Sequence, residues 1–153
     1  DIYKLDKSTI LIMGSLSYIG EAILGMILGS AGNERPASKA LCLSLIIVGM
    51  GGLLFAYSSP FFMFPLAVFF MGGGRVAFAL ARSIAGTCSL NASAGAMFAV
   101  FSVLLGVVQT PAPEIGGILY ESSPTQPFLF GSTLILAVIP LVIVLKKRVL
   151  RIQ

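Results

Sequence analysis

The chain reads as an all-α integral membrane protein with five transmembrane helices, and three observations lead there. Hydrophobic residues make up 57% of its 153 residues, charged residues only 10%, and the mean hydropathy is +1.00. A soluble domain carries about 25% charged residues. Five apolar stretches, roughly residues 9–29, 40–57, 61–82, 94–113 and 127–145, each approach the roughly 20 residues that a helix needs to cross a bilayer. Short polar connectors rich in Pro, Gly and Ser separate them. The whole chain, 1–153, is one membrane domain.

The first span follows a short lead of mixed charge. Gly14, Tyr18, Glu21, Gly25 and Gly29 recur in it at helical spacing and form a small, polar stripe. Gly25-x-x-x-Gly29 matches the close-packing pattern of membrane helices, a common and weakly specific signal. Ser30 to Lys39 predicts a tight hydrophilic loop. The second span carries no charge, and Ser58-Ser59-Pro60 turns the chain into the third. There Gly72, Arg75, Ala79 and Arg82 share a face. Ser83 to Ala94 reads as a small-residue connector in which Asn91 or Ser93 caps the next helix.

The fourth span begins at Ala94 and runs into Thr110-Pro111-Ala112-Pro113-Glu114-Ile115-Gly116-Gly117. Each proline removes a backbone donor, and in a membrane the freed carbonyls must be satisfied by protein or by a water-filled cavity. Ser102, Gly106, Gln109, Pro113 and Gly117 share one small, polar face, which suits either a helix–helix seam or a cavity lining. Glu121 to Gln126 is a polar turn, the fifth span is uncharged, and Lys146, Lys147, Arg148 and Arg151 close the chain.

Several function classes fall away. The net charge of +4 comes from basic residues at helix ends and in the tail, so nucleic acid is not an expected partner. There is no His, and Cys42 and Cys88 lack metal-ligand spacing, so neither a metal site nor another cofactor is expected. Both cysteines are expected to be free thiols on one cytoplasmic side. The spans lack a His or Asp, which argues against an intramembrane enzyme, and no Gly-rich phosphate loop suggests ATP hydrolysis. The chain starts at Asp1 without a signal-like segment and is expected to be a fragment of a longer protein.

Five spans put the ends on opposite sides. Arg35, Lys39, Arg82, Lys146, Lys147, Arg148 and Arg151 fall on the side of the C-terminus, while Lys4 and Lys7 on the other are balanced by Asp1 and Asp6. The positive-inside rule makes the C-terminus cytoplasmic and the N-terminal end external, in a plasma or other cell membrane. The basic tail anchors the last helix at anionic headgroups.

A charge near the bilayer centre costs a few kcal/mol, so Glu21 and Arg75 each need a reason. Their depths, counted along the two helices, differ by only about 3 Å. They are expected to approach one another or to share an aqueous cavity, as a functional pair or as an ion pair that holds two helices together. The first, third and fourth spans carry the ionisable residues, the glycine stripes and Gln109. That pattern suggests three helices around a polar path, with the second and fifth supporting them from the lipid side.

The order of these parts resembles the C-terminal half of a major facilitator superfamily transporter, its helices eight to twelve, over the whole chain. Pro113-x-x-Gly116-Gly117 is similar to the end of the antiporter motif of the drug–proton antiporter branch, with Ala112, Val108 and Ala99 where that motif has glycine. Residues 29–35 are similar in place to the cytoplasmic Gly/Asp/Arg loop, with Asn33 for the acid and Glu34 for the base.

The resemblance implies part of a six-helix bundle whose helix seven and N-terminal half are missing from this chain. It further implies secondary active transport of a small solute by alternating access, coupled to a proton or another ion. Substrate sits near the midplane between the two halves of such proteins. Glu21 is then the candidate proton carrier, paired with Arg75. Tyr18, Ser102 and Gln109 are candidate substrate-cavity groups, and Gly25, Gly29, Gly72, Pro113, Gly116 and Gly117 are candidates for packing or gating. The alternative is a small multi-pass protein that scaffolds or regulates a partner without transport.

Overall fold

The structure, a computed structural model, describes residues 6–34, 37–57, 63–87 and 93–149. Among the described residues seven helices follow in order: α1 Lys7–Glu34, α2 Ala37–Tyr57, α3 Met63–Met71, α4 Gly73–Thr87, α5 Ala94–Gln109, α6 Ala112–Ser122 and α7 Gln126–Val149. They make five stretches long and apolar enough to cross a membrane, because α3 with α4 and α5 with α6 each form one interrupted span.

The helices are longer than the apolar stretches predict. Residues 30–34 continue α1 instead of forming a loop, because nothing there breaks a helix; even Gly32 costs only about 1 kcal/mol relative to alanine. The fourth span runs to Ser122, beyond residue 113. Its interruption is confined to Thr110 and Pro111, where Thr110 caps α5 through its N–H and its hydroxyl, both donating to the Gly106 carbonyl at 3.0 and 2.8 Å. Pro113 then falls in the first turn of α6, where its missing N–H has no intrahelical acceptor to lose. At the start of α5, Ser93 Oγ accepts from the Ala96 N–H at 3.3 Å; Asn91, the other capping candidate, lies outside the described residues.

The third span breaks at Gly72. Its N–H is shared between the Val68 and Phe69 carbonyls, and its carbonyl accepts from the Arg75 N–H at 3.3 Å. Fully buried Ser44 on α2 donates its hydroxyl to the Gly73 carbonyl at 2.8 Å, which pins the break to the neighbouring helix.

Glycines let the helices approach closely, backbone to backbone between α1 and the third span. A side chain on Gly20 of α1 would collide with the Phe69 carbonyl, and one on Gly72 with the Ser17 carbonyl. On α2, Gly51 backs onto Phe70 and Ala67, while Gly49 and Gly52 back onto Leu136 and Ser132 of α7. Leu24, Leu28 and Val76 form the buried cluster between α1 and α4, flanked by Ile47, Phe69 and Leu80.

α2 is therefore central to this bundle rather than a lipid-side support: it packs against α1, α3, α4 and α7. Its lack of charge fits burial among neighbours as well as it fits lipid. The fourth span stands apart. α5 packs on α4 and α6 on α7, neither touches α1, and none of the span's apolar window is buried.

Candidate functional site

The face of α1 that meets the third span presents Tyr18 and Glu21, three residues apart and so side by side. On the third span Gly72 allows the close approach to α1, and Arg75 follows one turn later. The arrangement brings the two charges together: Arg75 Nη1 donates to Glu21 Oε2 at 2.9 Å. The guanidinium also lies over the Tyr18 ring, with Cζ 4.2 Å from the ring centroid. A cation so placed is attracted by the negative face of the ring.

The pair sits deep in its helices. Arg75 stands at the midpoint of the span Met63–Gly86, and Glu21 less than one turn past the midpoint of Lys7–Ser30. Yet it is not sealed, since the Arg75 side chain is 51% exposed and that of Glu21 36%. Both border a cavity of about 350 Å³ that continues between α1 and α4 over Ala22, Gly25, Gly29 and Ala79. Because α1 and α4 run parallel here, this groove leads from midspan towards their C-terminal ends.

Gly25 and Gly29 thus act differently from the packing role their spacing suggests. A side chain on Gly25 would meet only Val76 Cγ2 at 3.7 Å, and one on Gly29 would meet nothing within 4 Å. They form the floor of the groove. Gly72 is a true close-packing glycine.

The remaining candidates lie elsewhere. Ser102 and Gln109 are exposed on α5, which does not touch α1, so the structure does not bring them to Tyr18, Glu21 and Arg75. Gly116 and Gly117 lie on α6 with open space where a side chain would go. Glu114 is in the first turn of α6, where a carboxylate faces the favourable end of the helix dipole. Arg82 leans over Phe101, its Cζ 6.0 Å from the ring centroid, and so ties α4 to α5. Cys42 is a free thiol, whereas Cys88 and the Asn33–Arg35 side chains are outside the described positions.

The sequence reading did not foresee the stacking of Tyr18 on Arg75 or the Ser44 bond to Gly73. For the first, the signal was present in the i, i+3 spacing of Tyr18 and Glu21. The second depends on which helices are neighbours, which periodicity does not encode.

The site offers three chemical features: a carboxylate, a guanidinium of which the bond to Glu21 occupies one of five N–H donors, and an apolar trough beside them. Comparison with protein-family models, curated proteins and solved structures finds no match to this chain.

Proposed function

We propose that this chain is part of a secondary active transporter for a small solute, driven by a proton gradient. The observation that carries the reading is the half-open ion pair at midspan, Glu21 with Arg75, bordering a groove between two membrane-length helices. A buried pair that only joined two helices would gain nothing from an opening onto a cavity of this size.

In this reading Glu21 alternates between carboxylate and carboxylic acid. Protonation removes its charge, releases the Arg75 guanidinium, and loosens the contact between α1 and α4. The released guanidinium is free to hold a polar group of the solute, with Tyr18 fixing its position. The resemblance to the C-terminal half of a major facilitator superfamily transporter supplies the rest: an N-terminal half across the groove, alternating access, and a cytoplasmic C-terminus. No reaction chemistry and no cofactor belong to this scheme.

A second reading, a scaffold or regulatory partner, draws on the fourth span, whose small polar face is covered by nothing in the described bundle. The two separate in proteoliposomes of the native gene product loaded with a panel of labelled small solutes. The transport reading expects accumulation of at least one solute when a proton gradient is imposed in one direction or the other. No accumulation of any solute under any gradient favours the scaffold.

A further inference from the structure

Away from the ion pair, α2 and α7 cross antiparallel, with Gly49 against Leu136 and Gly52 against Ser132. Between the start of α2 and the end of α7 lies a second cavity of about 350 Å³. Its walls are Leu43, Ile46, Val142 and Ile143, and its mouth is set by Ser38 and Lys39, with Cys42 one turn inside.

The chemistry of this cleft changes along its length. From Ser38 to Ile46 it follows α2 for about 12 Å, polar and cationic at one end and wholly apolar at the other. Neither α2 nor α7 contains a single Asp or Glu. Along α7, positions 146 and 147, both Lys, follow Val142 and Ile143 by one helical turn, so this end of α7 lies at the same end of the bundle as Lys39. A ligand that fits carries a negative head and an apolar tail, and enters sideways from a bilayer.

We propose that this cleft binds one anionic phospholipid of the surrounding membrane. Its phosphate sits at the Lys39 ammonium and the Ser38 hydroxyl. One acyl chain runs down the trough of Leu43, Ile46, Val142 and Ile143, and covers Cys42. This differs from attraction of headgroups to a basic surface, because the tail has a defined seat.

Cys42 provides the readout. In protein carrying Cys88→Ser, the maleimide labelling rate of Cys42 is measured in detergent micelles doped with phosphatidylglycerol or, at equal amount, phosphatidylcholine. With phosphatidylglycerol at ten times its dissociation constant, labelling slows about tenfold by simple occupancy, and with phosphatidylcholine it does not. Lys39→Gln and Ile46→Trp, both at exposed positions, each remove the difference between the two lipids. Arg82→Gln, at the same end of the bundle, leaves it intact. Equal slowing by both lipids overturns the proposal, as does protection that survives Lys39→Gln. Protection that survives Ile46→Trp also overturns it, since the headgroup would then be held without a seated tail.

Discussion

A side chain on Gly72 would come within 2.7 Å of the Glu21 backbone nitrogen, so the third span meets α1 there at backbone distance. One turn later Arg75 reaches the Glu21 carboxylate. The two facts belong together: the glycine sets the helix separation that the ion pair spans.

Gly72→Ala therefore forces α1 and the third span apart, because the obstructing atoms are backbone and cannot swing aside. Overpacking of this kind costs about 1–3 kcal/mol. Gly20→Ala, against the Phe69 carbonyl, behaves alike. Gly14→Ala, which meets nothing within 4 Å, is neutral or stabilising. Unfolding of the three variants in one detergent ranks them.

Both side chains open onto the groove, and water filling it screens their attraction. On the transport reading the pair therefore contributes little to the fold. A double-mutant cycle of Glu21→Ala and Arg75→Ala measures it. A strong coupling assigns the pair to stability rather than to function.

Tyr18→Phe keeps an aromatic face under the guanidinium, whereas Tyr18→Leu removes it. The leucine variant loses more stability than the phenylalanine variant. Equal losses in the two variants would assign the effect to the hydroxyl instead.

Ser44→Ala removes the buried hydroxyl that donates to the Gly73 carbonyl. Hydrogen bonds between membrane helices average about 0.6 kcal/mol and reach about 1.7 kcal/mol. Full burial of Ser44 puts this one towards the upper figure. The same unfolding assay reads it.

At the membrane-flanking start of α1, the Ser8 hydroxyl and the Lys7 N–H donate to the Asp6 carboxylate and hold its pKa below the usual value of 3.8. Such a lowered group stabilises the first turn above its unfolded pKa, and the contribution is lost as pH falls through the folded value. The pH titration of the Lys7 to Ile10 amide shifts should therefore have its midpoint below the usual value of 3.8. A midpoint above 3.8 contradicts the capping arrangement.

Much of this bundle is legible in the sequence, for physical reasons that also mark where reading stops. Hydropathy locates the spans because lipid demands long apolar helices. The meeting of Glu21 and Arg75 follows from counting depth along two parallel helices. Helix ends are less legible, since the polar stretch from Ser30 reads as a loop and Pro113 as a breaker, yet both stand where a helix tolerates them. Neighbour choice is not legible at all from periodicity. The uncharged α2 reads as peripheral, yet its Gly49, Gly51 and Gly52 place it between α3 and α7. Gln109 reads as facing the same path as Glu21, yet α5 never reaches α1.

The central claim is that Glu21 carries the coupling proton, and one comparison tests it most directly. Proteoliposomes of the native gene product, wild type and Glu21→Gln, are assayed for solute accumulation under an imposed proton gradient and for solute exchange without one. A glutamine cannot release a proton, so the variant should retain exchange and lose gradient-driven accumulation. Accumulation at the wild-type rate in Glu21→Gln would contradict the account and leave the ion pair as a link between two helices.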